Sequence, residues 1–270
     1  MTHPDEAVDH YGAQYGHFAS SLYADIRRET FGEDIGQNGW LTAEEQDLFL
    51  SWLALTPNSR LLDVACGSGG PTRRIAKLTG CQVHGVDVHQ QGIEEARTQA
   101  SAEGLGEQAQ FDQVDASKPL PFPDGAFDAV ICVDAVNHLP DRSQILREWG
   151  RVLRPGGGLV FTDPIVVTGP LTSDEIAIRS SIGFFLFVPA GIDEHLLETV
   201  GFEIRETVDR TENMAEMAGR WRRAREAREG ELRVAEGDET FEGQQRFFEV
   251  AARLAAERRL SRIAFHAEQR

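Results

Sequence analysis

From residue 60 onward, short apolar runs alternate with stretches of helical period, and this alternation constrains the fold more than any other feature of the chain. The runs are RLLDVA (60–65), QVHGVDV (82–88), AQFDQVDA (109–116), FDAVICVD (127–134), GGLVFTD (157–163) and FEIRETVD (202–209). They are β-branched and apolar on both faces, as strands buried between two helical layers are. Helices are expected at about 71–79, 90–103, 143–153 and 191–200, with LRPGGG stopping the unit before the fifth strand. Such a repeat predicts a doubly wound, Rossmann-like α/β sheet with right-handed crossovers. Residues 211–259 are helical in character throughout, and LSRIAFHA (260–267) reads as a seventh strand, so a helical insertion should separate the last two strands. Two helices are expected before the sheet, at 20–31 and 42–54, the second opened by a capping box of Thr42 and Glu45. Between them lies the glycine-rich turn FGEDIGQNGW. The expected organisation is an N-terminal helical cap (1–57), a ligand-binding core (58–165), and lid segments, insertion and closing strands of the same domain (166–270).

Composition narrows the class of partner. The chain has 270 residues, 44 acids against 27 bases and a formal net charge of −17. A surface of that sign repels polyanions, so neither nucleic acid nor an anionic membrane is expected as a partner. GRWRRAREAREGELR (219–233) is the one basic cluster, and its interleaved glutamates at helical spacing make it a salt-bridged helix face. Cys66, Cys81 and Cys132 share no metal-ligand spacing, and no metal is expected; they read as buried thiols of a reducing compartment. MTHPDEAVDHYG is too polar for a signal sequence, and no apolar run approaches the roughly 18 residues of a membrane span. A cytoplasmic location is expected, as a monomer or homodimer.

The first strand runs into the loop LLDVACGSGG (61–70). Gly67 and Gly69 fit the first two positions of a dinucleotide fingerprint, but the third falls on Thr72, and no Gly-Lys-Ser/Thr follows for a phosphate. Asp63 puts negative charge where a phosphate would sit and suits a cationic ligand. Asp87, 20 residues past Gly67, ends the second strand, where an acid can accept both ribose hydroxyls. Asp115 follows the third strand, where a carboxylate can accept from an adenine amino group. Three acids at three successive strand ends, beside a glycine loop, point to a nucleoside without a pyrophosphate.

These segments resemble the motifs of the class I S-adenosylmethionine-dependent methyltransferases, over about residues 58–165. LLDVACGSGG is similar to their first motif, with Ala65 where a glycine is more usual. VHGVDV, FDQVDA, FDAVICVDAVNHLPD and RVLRPGGGLVFTD resemble those that follow. The resemblance implies S-adenosylmethionine as cofactor, with Gly67 and Gly69 toward its methionine part, Asp87 and Val88 at the ribose, Asp115 and Ala116 at the adenine, and the carbonyl of Val133 near the amino group. It also implies a small-molecule acceptor methylated on N or O. RNA or protein methylation is the alternative, disfavoured by the charge and by the lack of an Asn/Asp-Pro-Pro-Tyr motif. A non-catalytic cofactor-binding protein on the same fold is another.

The flanking segments are similar to those of phosphoethanolamine, sarcosine and tocopherol methyltransferases. On that likeness His138 is the candidate base, paired with an N-terminal tyrosine: Tyr11, Tyr15 or Tyr23, with Tyr15 and Tyr23 taken as the candidates. After the fifth strand, Arg179 could contact an anion, but Phe184, Phe185 and Phe187 replace the polar aromatics expected there. With Trp40 and Trp221 they favour a larger, apolar or aromatic acceptor.

Overall fold

The computed structural model describes residues 20–270; Tyr11 and Tyr15 fall outside them. Helix α1 (Ser21–Phe31) is capped by the Ser20 hydroxyl. Helix α2 (Ala43–Leu53) begins where the Thr42 hydroxyl accepts from the Glu45 N–H at 3.2 Å. The Glu45 carboxylate does not serve the expected capping box: it accepts from Arg210 and Arg262. A full capping box forms instead between Thr172 and Glu175.

Strand β1 (Arg60–Val64) leads through the glycine loop into α3 (Gly70–Thr79). Next come β2 (Gln82–Asp87), α4 (Gln90–Ala102), β3 (Ala109–Gln113), β4 (Phe127–Cys132), α5 (Arg142–Val152) and β5 (Leu153–Val167). Then α6 (Ser173–Arg179), β6 (Val188–Pro189), α7 (Ile192–Thr199) and β7 (Phe202–Asp209) follow. The insertion is α8 (Thr211–Glu226), α9 (Glu229–Glu236) and α10 (Asp238–Ala256), and β8 (Leu260–Gln269) closes the sheet. The strand order is β3-β2-β1-β4-β5-β8-β7, with β6 beside the end of β5. The first five strands of that path are parallel, and β8 is antiparallel to both β5 and β7.

The seven expected strands form this path. β6 is an eighth, and its two residues are too few to carry a period of two. Leu61, Leu62, Val64, Val130 and Val160 are fully buried, as strands covered on both faces require. The strand order reverses between β1 and β4, so a crevice opens at their carboxyl ends, where ligands bind in such sheets.

The helical insertion packs on α1 through an aromatic cluster. Trp221 stacks on Phe248 at 5.5 Å and meets Phe31 edge-on at 5.7 Å. In the basic segment, Arg220, Arg225, Arg228 and Arg233 all pair with carboxylates. Cys66, Cys81 and Cys132 are buried free thiols. Among the described residues no helix is long and apolar enough to cross a membrane.

Arginine-centred ionic clusters are buried within the fold. Arg142 bridges Asp163 and Asp193, joining α5, β5 and α7. The larger cluster centres on Arg262 of β8, which is fully buried. Its Nη1 donates to both Glu45 oxygens at 2.7 and 2.8 Å, and its Nε donates to Asp134 Oδ1 at 2.6 Å. Arg210 Nε donates to Glu45 at 2.7 Å, so two guanidiniums face two carboxylates. Burial works against the charge of Arg262; the Asp134 and Glu45 carboxylates more than offset it and hold the guanidinium above the usual arginine range. Arg262→Met would leave Asp134 without its guanidinium and Glu45 with Arg210 alone. We expect it to lower unfolding free energy in urea by about 3–5 kcal/mol, and a loss below about 1 kcal/mol would show that the network is not a structural support.

Candidate active site

Between β1 and α3 the backbone turns through three left-handed residues, Ala65 (φ 60°), Gly67 (φ 57°) and Gly69 (φ 69°). Glycine holds such angles without strain, whereas an alanine there costs roughly 1 kcal/mol. Ala65 therefore carries a strain that the more usual glycine would not. Gly69 is demanded by packing: a Cβ on it would lie 2.6 Å from the Phe111 ring and 2.8 Å from Ala96.

The loop's fit explains why no pyrophosphate is expected. In dinucleotide sites that group sits on the helix N-terminus. Here the turn FGEDIGQNGW crosses that position, and a Cβ on Gly70 would stand 2.3 Å from the Ile35 carbonyl oxygen. The first turn of α3 is covered by the protein's own backbone.

In front of the loop opens a cavity of about 700 Å³. Asp63, Gly67, Asp87 and Val88 line one part, Asp115 and Ala116 another, and Val133 and His138 a third. All eight were singled out from the sequence as cofactor-binding or catalytic residues. Of the others, Gly69 is turned toward Phe111 and Ala96 and is not in the lining, Tyr15 lies outside the described residues, and Tyr23 is placed elsewhere. Tyr23 is buried in the cluster between α1 and the helical insertion, where its hydroxyl donates to Glu236 Oε2 at 2.6 Å. Burial and the Glu236 carboxylate push that hydroxyl's pKa above the usual tyrosine range.

The three acids sit in different environments. Asp87 Oδ2 accepts the Gly67 N–H at 2.9 Å, and Oδ1 accepts the His89 backbone N–H at 2.9 Å and lies 2.9 Å from His89 Nδ1. A carboxylate oxygen takes about two hydrogen bonds, so Oδ2 retains capacity for a ligand hydroxyl. Asp115 Oδ1 accepts from the Ser117 hydroxyl and N–H, and its Oδ2 is 2.9 Å from Lys118 Nζ. The Ser117 hydroxyl, with Lys118, lowers its pKa below the carboxylate range. Asp63 is buried and accepts from the Thr72 hydroxyl. Burial raises its pKa from 3.8 to about 7; the Thr72 hydroxyl opposes the shift and the nearby Asp87 carboxylate adds to it.

His138, also in the cavity lining, ends a 3-10 turn (Val136–His138). Its Nδ1 lies 2.9 Å from the Phe184 carbonyl oxygen and its ring meets Phe185 edge-on at 4.7 Å. A carbonyl only accepts, so Nδ1 carries the hydrogen and Nε2 the lone pair. Burial pushes the imidazole pKa down, the Phe184 carbonyl opposes the shift, and Arg179 adds to it. Neighbouring Asp134 holds φ 55°. It is pinned by the Trp40 N–H at 2.8 Å, the Thr162 hydroxyl at 2.8 Å and Arg262. Asp134 and His89 line the cavity too and were not singled out from the sequence. A left-handed angle at an aspartate has no sequence signal, while His89, two residues past Asp87, follows a common Asx-turn spacing.

Residues 62–161 match a family model described as a methyltransferase domain. The chain is 38% identical to methyltransferase GfsG of Streptomyces halstedii over 166 residues, which are 59% of this chain and 58% of that protein. It is 32% identical to the 27-O-demethylrifamycin SV methyltransferase of Amycolatopsis mediterranei over 184 residues, 64% of this chain and 67% of that one. The chain thus spans under two thirds of the first relative and about two thirds of the second. A crystal structure of a putative sarcosine dimethylglycine methyltransferase from Galdieria sulphuraria superposes with a TM-score of 0.82 at 19% identity, covering 97% of this chain and 98% of that one.

The raised pKa of Asp63 has a measurable consequence. The folded state binds a proton there that the unfolded state releases, so Asp63 supports folding at low pH and its contribution is lost as pH rises to about 7. Unfolding free energy measured from pH 4 to 8 should fall less steeply with rising pH in Asp63→Asn than in the parent. Parallel profiles would contradict the assignment.

Proposed function

Because the chain belongs to the S-adenosylmethionine-dependent methyltransferases, we propose that it methylates an oxygen or nitrogen atom of a small, largely apolar acceptor. The observation that carries the proposal is one cavity lined both by the strand-end acids and by His138, whose ring meets Phe185 edge-on. The donor set suits that cofactor. Asp87 would accept from its ribose, Asp115 from its adenine amino group, and half-exposed Val88 would cover an apolar ring face. Asp63, of opposite sign to a sulfonium and an ammonium, would ionise fully beside them. The covered first turn of α3 needs no phosphate. When bound, S-adenosylmethionine supplies a methyl group already activated for displacement.

The protein's own task is then positioning, exclusion of water and removal of a proton. His138 suits the last: its hydrogen is committed to the Phe184 carbonyl, and burial favours the neutral ring. As the acceptor takes the methyl group and the donor's sulfur–methyl bond breaks, the acceptor's proton would pass to His138 Nε2. Residues 58–165 would hold the donor, and 166–270 would supply aromatic walls for the acceptor. The net charge of −17 favours a small molecule over nucleic acid. Buried free thiols support a cytoplasmic location, and the protein would act there as a monomer or homodimer.

A panel of phenols, alcohols, amines and carboxylic acids, incubated with radiolabelled methyl donor, tests the proposal. At least one class should take up label, with a rate that rises with pH through a value below 6.5 and then levels. His138→Ala should lower that rate by about 10²–10⁴-fold without changing donor affinity, and should abolish the rise. No label in any class would overturn the enzymatic reading, and an unchanged pH profile would leave His138 as a pocket wall.

A further inference from the structure

Beyond His138 the cavity continues into a second chamber of about 60 Å³. Asn38, Gly39, Asp134, His138 and Ile182 line both spaces. The rings of Trp40, Phe185, Trp221, Phe247 and Phe248 share the far chamber's walls with the polar side chains of Asn137, Arg179 and Gln244. The chamber's volume is well under the roughly 150 Å³ of a cavity that holds benzene. It admits a small substituent and not a ring.

One wall residue is at odds with its surroundings. Asn137 is 1% exposed, and neither its Oδ1 nor its Nδ2 has a hydrogen-bond partner among the described residues. Its backbone is held, the carbonyl accepting from the Leu186 N–H at 2.8 Å, so only the carboxamide is left over. A buried amide with neither atom satisfied is costly, and native structures keep such groups where a ligand or water completes them.

We infer that this chamber is a recognition subsite for the acceptor and that Asn137 reads a neutral hydroxyl group there. The inference rests on the acceptor site proposed above. A carboxamide both donates and accepts, and a hydroxyl answers both. A carboxylate would satisfy Nδ2 only and oppose Oδ1; an ammonium would do the reverse. The Asp134 carboxylate is already engaged by Arg262, Thr162 and Trp40, and the Arg179 guanidinium lies over the Phe185 and Phe247 rings. His138 stands between the two spaces, so the hydroxyl being read and the atom being methylated fall on either side of it.

Trp40 and Trp221 in the chamber wall make binding visible as a change in tryptophan fluorescence. The probes are benzyl alcohol and ethylbenzene, nearly equal in shape, titrated into the protein loaded with S-adenosylhomocysteine. The parent protein should bind the alcohol about tenfold more tightly, the scale of one or two net hydrogen bonds. Asn137→Leu, and Asn137→Ala should the leucine variant not fold, should lose that preference while binding S-adenosylhomocysteine as before. Equal affinities in the parent, a preference that survives both substitutions, or no saturable response to either probe would overturn the assignment. Failure of the methyltransferase reading appears separately, as no uptake of S-adenosylhomocysteine; the preference is then read on the unloaded protein.

Discussion

The crevice is held in shape by one buried arginine. Arg262 reaches from β8 to Glu45 on α2 and to Asp134 just past β4, drawing three distant parts of the chain onto one guanidinium. Asp134 keeps a left-handed backbone there, a conformation that persists only where its surroundings over-determine it. Three such surroundings are present: Arg262, the Thr162 hydroxyl and the Trp40 N–H. An apolar set of similar volume could match the stability of such a network. It would not direct the chain after β4, and that direction places Val133 and His138 on the cavity.

Two kinds of chemistry meet across that fixed point. The parallel half of the sheet presents carboxylates at its strand ends, and the first turn of α3, where a phosphate would sit, is covered by backbone. The helical insertion presents aromatic rings, with Trp221, Phe247 and Phe248 reaching the inner chamber. A positively charged nucleoside suits the first environment and an uncharged acceptor the second. His138 lies on the boundary, where burial favours its neutral ring.

Much of this was legible because it repeats. Parallel strands and amphipathic helices write their periods over five or more residues, and acids at successive strand ends mark a ligand edge. What was hidden depends on partners far apart in sequence. Glu45 reads locally as a cap, yet its carboxylate is claimed by Arg262, 217 residues away. Gly69 reads as a loop residue facing a ligand, yet the space it leaves is filled by Phe111 and Ala96. Tyr23 sits in a plausible N-terminal helix, but the insertion supplies Glu236 to hold its hydroxyl. Asn137, beside a histidine that draws the eye, becomes notable only once its burial and lack of a hydrogen-bond partner are known.

Calorimetric titration of S-adenosylmethionine into the parent protein and Asp87→Ala tests the central claim most directly. The account predicts affinity in the micromolar range or tighter for the parent and a loss of about tenfold or more on removal of this charged hydrogen-bond acceptor. Equal affinity in the two proteins, or no binding to either, would contradict it.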